Sequence, residues 1–533
     1  MRLPVVALLA ALSASPALAQ EPATASPASA ELPGLAEMKA AMPRPVLAPG
    51  TPAGARAIRA ALIPYVTAEA FESGIVAITP VSDGYRIDLS FQDVLDSLAD
   101  TTGIAMTVSD YALLISEQPD GQWYVSISGP LAIAMKMSVP QPGTTGARMV
   151  DRSLRMSVED TAFEGYFDPN LFGYTRSYWV IGTVRQTETT GEFVSTSETG
   201  PSTMVAESRE GGNGTVDMDA IQTIGATRQA FDLSVDPANP DRTIPVLITS
   251  QEARSEVTGE GFESQDLGRL LPLLVELSQE PERPGLLKAL QAGLTAALPV
   301  FEQFAIAATI AGAKVDLGPF GSGEIAAIEM DVDMDGAETS GAYSLAYDLT
   351  GVSVASPFIP AWASPLVPER LRIELTASDI DLANPARTAI ENLRLDADAP
   401  LIPSAFETMA QQFEASGPSF GISDSLLSGK DYTIDYSAAF KDGATTIAVE
   451  TDGLDRIIAH LQAAGADVPE AMQGVSFLQV AKGFAKPFDD GRHEWIVHLG
   501  ADGSVTVNGA MLKAPAPEPL PGSGNLPPAI DRL

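Results

Sequence analysis

Apolar and polar residues alternate with a period of two in run after run of this chain. Leu131, Ile133, Met135 and Met137 alternate with Ala132, Ala134 and Lys136. Ile328, Met330, Val332 and Met334 alternate with Glu329, Asp331, Asp333 and Asp335. The same pattern recurs at Leu371, Ile373 and Leu375, and again at Tyr432, Ile434 and Tyr436. Successive side chains of a strand point to opposite faces, so each run makes a strand with one apolar and one wet face. Strands of that kind belong to antiparallel sheets. Asp-Gly pairs at Asp83, Asp120, Asp335, Asp442, Asp452, Asp490 and Asp502, and Asn-Gly pairs at Asn213 and Asn508, supply the residues that tight hairpins demand. The expected fold is mainly β (α+β), with elongated antiparallel sheet and a few packing helices.

Helical spacing is confined to short stretches. Phe91 to Leu98, Leu267 to Leu277, Leu286 to Leu298, Ser404 to Ala415 and Leu454 to Ala464 are the candidates. Leu286, Leu290, Leu294 and Leu298 share one stripe, which suits a sheet face. Pro281 and Pro284 separate the second and third candidates. This helical segment, 264–299, divides two β-rich regions, 61–263 and 300–513. Residues 20–60 read as a disordered leader rich in Ala, Pro and Glu, and 514–533 as a Pro-rich tail.

Met1-Arg2, the apolar run Leu3 to Leu12 and the small residues before Gln20 form a secretory signal over 1–19, cleaved between Ala19 and Gln20. No later apolar stretch reaches the roughly 18 residues needed to cross a bilayer. A periplasmic, soluble product is expected. Cysteine is absent, which removes disulfides, thiol catalysis and Cys-ligated metals. With 45% hydrophobic and 19% charged residues the chain is globular in composition. Its net charge of −37 repels nucleic acid and anionic head groups and would attract a cationic partner.

Three motifs resemble chemistry. Asp331, Asp333, Asp335 and Gly336 match the opening of a calcium loop, but Ala342 stands where the bidentate Glu belongs. Val332 and Met334 continue the strand alternation, so the carboxylates are spaced along a strand and do not converge. Gly417-Pro418-Ser419-Phe420-Gly421 matches the G-x-S-x-G nucleophile elbow. That elbow needs a strand before the serine, whereas a helical pattern precedes Ser419. His493, Glu494 and His498 are spaced one residue too far apart for a helical zinc motif and sit in an alternating strand, so the two imidazoles face opposite sides. No catalytic, cofactor-binding or metal-binding residue is singled out.

Met472-Gln473-Gly474 through Phe477-Leu478, the segment Gly483-Phe484-Ala485-Lys486-Pro487, and Asp502-Gly503-Ser504-Val505-Thr506-Val507-Asn508-Gly509 resemble an uncharacterised family of exported alphaproteobacterial proteins, domain of unknown function 2125. The alternating acidic strands around Met330 and Ile373 are similar to that family too. The resemblance covers most of the chain beyond the signal. It implies export and a β-rich body and brings no catalytic residue with it.

The expected function is that of a non-enzymatic periplasmic protein binding or carrying an apolar envelope ligand such as lipid. An envelope scaffold whose acidic surface meets a cationic protein is the alternative, and a hydrolase using Ser419 the third. In the first case the helices at 267–298 cover the apolar sheet face, alone or together with an acyl chain.

Overall fold

The computed structural model describes residues 42–140, 149–191, 193–234, 243–280, 282–394, 400–465 and 468–514. The expected signal and cleavage site at Ala19 and Gln20, and nearly all of the expected tail, lie outside them.

Two helices open the described chain, α1 (Pro52–Val66) and α2 (Ala68–Glu72). Strands β1 (Val76–Val81) and β2 (Gly84–Leu89) precede α3 (Gln92–Thr102), β3 (Ala105–Val108), β4 (Tyr111–Glu117) and the long strands β5 (Trp123–Pro140) and β6 (Met149–Asp168). Eight strands follow as four collinear couples: β7 (Gly173–Ile181) before β8 (Val184–Thr190), β9 (Phe193–Thr199) before β10 (Ser202–Glu210), β11 (Val216–Ile224) before β12 (Thr227–Ser234), and β13 (Thr243–Ser250) before β14 (Glu252–Phe262). Helices α4 (Ser264–Gln279) and α5 (Leu286–Ala296) lead to β15 (Gln303–Asp316), β16 (Ser322–Asp335), β17 (Gly341–Thr350), β18 (Ser353–Ala355) and β19 (Arg370–Ile380). After α6 (Ala383–Glu391) and α7 (Pro403–Ala415) come β20 (Ser419–Gly429), β21 (Tyr432–Lys441) and β22 (Ala444–Asp452). The chain continues through α8 (Leu454–Ala463), α9 (Pro469–Phe484), β23 (Lys486–Pro487), β24 (His493–Leu499), β25 (Val505–Val507) and β26 (Ala510–Lys513).

Every ladder is antiparallel, and the strands form one sheet. One row of pairings runs β1–β2–β4–β5–β6–β7–β10–β11–β14–β15–β16–β17–β19–β20–β21–β22–β24–β25–β26. A second row lies beside it, β3–β5–β6–β8–β9–β12–β13–β15–β16–β18, sharing the long strands β5, β6, β15 and β16. The two β-rich regions of the sequence are therefore continuous, since β14 pairs directly with β15 across the helical segment. Asp83-Gly84, Asp120-Gly121, Asn213-Gly214, Asp442-Gly443 and Asp502-Gly503 sit at hairpin turns as their chemistry requires. Asp452-Gly453 instead opens α8, with Gly453 at its N-cap in the left-handed region.

A crease separates the two rows. It passes through Gly182, Gly200, Gly225, Gln251, Gly312 and Gly351, at the breaks between collinear strands or within β15. Apolar residues occupy odd positions of β14 (Ala253, Val257) but even positions of β13 (Ile244, Val246, Ile248). Along β15 the parity switches from Ile306 and Ile310 to Ala313 and Val315. Registers of neighbouring strands continue unbroken across the switch: Val257 opposes Ile306, and Ile248 opposes Val315. Each strand thus resets its pleat by one residue at the crease, and apolar positions stay beside apolar positions in both rows. Gly312 and Gly351 take φ of +59° and +63°, conformations that suit glycine.

The helices pack at the ends of the strands and the ends of the sheet. Helices α1, α4, α5, α6 and α7 contact one another in that order. Tyr65 of α1 stacks on Phe172 at the β6–β7 turn, with centroids 6.0 Å apart, and Ser264 Oγ donates to Leu171 O at 2.5 Å. Gln291 Nε2 of α5 donates to Ile390 O of α6 at 2.9 Å. The main core cluster joins α1 to the first strands through Val66, Val76, Ile87, Leu89, Leu113, Val125 and Phe163. At the other end Leu454, Ile458 and Val475 of α8 and α9 pack with Trp495.

Two expectations are corrected here. The leader expected over 20–60 ends sooner, because Pro52–Val66 is helical: Thr51 Oγ1 accepts from Gly54 N at 3.0 Å, and Pro52 sits in the first turn where its missing N–H is harmless. Just upstream, Tyr166 Oη donates to Pro43 O at 2.6 Å and Val46 N donates to Gln118 Oε1 at 2.9 Å. The leucine stripe at 267–298 does not lie on the sheet. Leu267, Leu270, Leu273, Leu277, Leu290 and Leu294 close α4 against α5 and reach Leu393. Two short helices joined by a proline-containing connection satisfy each other's apolar faces at lower loop entropy than a distant sheet would require.

Candidate functional site

The feature that stands out is the apolar face of the first row. Reading register by register, Val257 opposes Ile306, then Val332, Leu345, Leu375, Ile422, Ala438, Ile447, Val497 and Val507. Ten consecutive strands place an apolar residue in this one line. At the usual strand spacing it spans about 45 Å. Parallel lines flank it, such as Ala308, Met330, Tyr347 and Ile373, and Phe304, Met334, Tyr343, Ala377, Phe420 and Phe440.

This face is buried at its ends and half-exposed along its centre. Around β1 to β6 the helices α1 and α2 cover it, and near β24 the helices α8 and α9 do. From β15 to β21 none of the residues in these lines is fully buried, and Leu375, Phe420 and Phe440 are 45%, 44% and 41% exposed. The principal helix–strand packings among the described residues fall on β1 and β3, with a smaller one of α8 on β21 at the edge of this centre. Exposed apolar surface contiguous over several strands is unusual in a chain that keeps its surface wet and marks an interaction site.

The opposite face carries charge. Asp348 is 2% exposed and holds Arg370 in a two-pronged ion pair, Nε to Oδ1 at 2.9 Å and Nη2 to Oδ2. Arg372 bridges Glu374 at 2.8 Å, and Ser423 Oγ donates to the same carboxylate at 3.0 Å. This bonding holds the Arg370 guanidinium above its usual range. Asp331 lies beside the network with Oδ1 buried and without a hydrogen-bond partner. Burial raises its carboxyl to about 6, against the opposing pull of Arg372, with Glu329 and Glu374 adding to the rise.

A pH-dependent stability follows. Between about pH 4 and 6 folded Asp331 keeps a proton that the unfolded chain has released, so stability falls as pH rises through that window and the penalty is complete above it. Asp331→Asn is expected to stabilise the protein by about 1 kcal/mol at pH 7.5, after discounting the shift for partial solvent access, and by nothing near pH 4. Urea unfolding at the two pH values measures this; the same gain at both would show that the carboxylate charge is not its source.

The candidate motifs fall as follows. Asp331, Asp333 and Asp335 stand at alternate positions of β16; Asp333 accepts from Gln303 Nε2 at 3.3 Å and Asp335 from Ala342 N at 2.7 Å. Ser419 is the first residue of β20, directly after α7 and the left-handed Gly417, an order of helix, turn and strand that reverses the nucleophile elbow. His493 and His498 occupy odd and even positions of β24; His493 is buried, with Nδ1 unpartnered, and His498 Nδ1 lies 3.0 Å from Thr446 Oγ1. His460 Nε2 lies 3.1 Å from Asp431 Oδ2. These hydrogen bonds bring none of the three imidazoles to Ser419. Alternation was legible on β16, β19, β21 and β24, but the continuity of the apolar line across ten strands needed the registers.

No family model, curated protein or solved structure matches this chain. Among the described residues, no helix is long and apolar enough to cross a membrane, and no group of three or more His, Cys, Asp or Glu side chains could hold a metal ion.

Proposed function

We propose that the chain is an exported, non-enzymatic protein that holds an apolar ligand, such as an acyl chain of an envelope lipid, against the centre of its apolar sheet face. The observation that carries this reading is the line from Val257 to Val507, apolar on every strand, with Leu375 and the flanking Phe420 and Phe440 exposed at its centre. An acyl chain matches it physically. A single leaflet's hydrocarbon is about half of the ~30 Å bilayer core, well within the length of the line. Burying apolar area is worth roughly 25 cal/mol per Å², and the half-buried centre of the sheet face leaves part of that gain unrealised. The expected secretory signal and the family resemblance support an envelope ligand, and the resemblance brings no catalytic residue.

A dansyl-labelled fatty acid titrated into the purified protein should bind saturably. The double substitution Leu345→Asp and Leu375→Asp puts two charges into the middle of the line and should weaken that binding at least tenfold, because a buried carboxylate facing a hydrocarbon lacks a partner. Circular dichroism checks that the variant remains folded. Absence of saturable binding to the parent protein, together with no co-purified lipid in native mass spectrometry, would remove the proposal.

A further inference from the structure

Helix α9 has two apolar faces, and one of them has no partner. Ala471, Val475 and Leu478, spaced i, i+4 and i+7, turn toward α8 and Trp495. On the other side Phe477, Val480 and Phe484, spaced i, i+3 and i+7, are 72%, 63% and 45% exposed. The adjoining hairpin extends the patch: Asn508 Nδ2 donates to Phe484 O at 2.9 Å, and Met511 and Leu512 of β26 are also exposed.

We infer that this outer face of α9 docks on a zwitterionic lipid bilayer, at the end of the sheet where the apolar line terminates; the inference rests on the acyl-holding reading above. Three observations select a bilayer as the occupant. First, residues 471–488 contain no Asp or Glu, in a chain whose net charge is −37. Second, their two cations are already matched within the protein, Lys482 to Asp455 at 2.5 Å and Lys486 to Glu494 at 2.9 Å, so the face offers apolar contact with no excess charge. A neutral head-group surface complements it, while the acidic remainder of the chain disfavours an anionic one. Third, the patch lies at the end of the sheet where the apolar line terminates: the helix that presents it packs its inner face on Trp495 of β24, and Trp495 Nε1 donates to Ala481 O at 2.7 Å. A bilayer seated on α9 therefore lies at the end of the sheet where the apolar line terminates.

The test is flotation of the full chain with phosphatidylcholine vesicles, comparing the parent with the double variant Phe477→Asp and Val480→Asp. Both substitutions are at exposed positions, so folding is expected to survive. The parent should float and the variant's bound fraction should fall at least tenfold, while dansyl fatty-acid binding in the absence of vesicles stays unchanged. A parent that does not float, or a variant that floats equally well, overturns the inference. A parent dimer in analytical ultracentrifugation that the variant converts to monomer also overturns it and assigns the face to a second copy. Fatty-acid binding without vesicles reads the sheet face alone, so failure of that reading and failure of docking are separable.

Discussion

Phe163→Ala is expected to destabilise the N-terminal end of the sheet by about 4 kcal/mol, in the middle of the range for loss of a buried aromatic ring. Phe163 is 7% exposed and stands at the centre of the cluster that joins α1 to several strands at once. Its ring meets Tyr174 edge-on at 5.1 Å and Trp179 at 5.8 Å. Such pairs add roughly 0.5–1.5 kcal/mol to the area term. Burial pushes the hydroxyl of Tyr174 up to about 12. Truncation leaves a cavity between rigid strands that cannot collapse: Gly165 lies on the same strand, and a Cβ there would already be 2.8 Å from the Tyr174 ring. Chemical denaturation followed by tryptophan fluorescence, with Trp123 and Trp179 as local reporters, measures the change. A loss under 1 kcal/mol would mean that the cluster is not the keystone of this end.

Gly225→Val should cost about 3 kcal/mol, and through a different mechanism. At the crease, Gly225 and Gly200 pack backbone to backbone. A Cβ on Gly225 would lie 3.0 Å from Pro201 O and 3.2 Å from Gly200 Cα, and one on Gly200 would lie 3.2 Å from Ala226 N. The obstructing atoms are main chain in two paired strands, so they cannot move aside without breaking the ladder between β10 and β11. Gly212→Ala is the control: a Cβ there meets nothing within 4 Å, and its effect should stay within about 0.5 kcal/mol. Thermal unfolding of the two variants discriminates them. Equal stabilities would show that the crease does not depend on close backbone approach.

These two sites differ in how far they could be read from the chain. The strand that carries Phe163 does not alternate cleanly, since Phe163, Tyr166 and Phe167 break the period, yet its registers put Phe163 beside Ile127 and Trp179. Gly182, Gly200 and Gly225 look like ordinary turn or linker glycines in sequence. Only adjacency of the strands turns them into a line. Helices α4 and α5 were legible from leucine spacing and proline punctuation, and α3, α7 and α8 as shorter helical stretches. Helix α9 was not, because apolar residues on both of its sides blur the 3.6-residue period. Helix α1 carried its signals, a Thr cap and a first-turn proline, within a segment whose Ala and Pro content suggested a leader.

By itself the sequence determined the strand period, the wet and apolar face of each strand, the Asp-Gly and Asn-Gly turns, and the strand character of the acidic motif at Asp331 to Asp335. These are local properties, set by side chains within one element and by the backbone needs of tight turns. Tertiary structure decided which strands are neighbours, where the pleat resets, and what the leucine stripe of α4 and α5 covers. An apolar face specifies that it must be buried but not against which partner. The helical hairpin found its partner in itself and in Leu393. The centre of the sheet was left with an apolar face on which Leu375, Phe420 and Phe440 stay exposed.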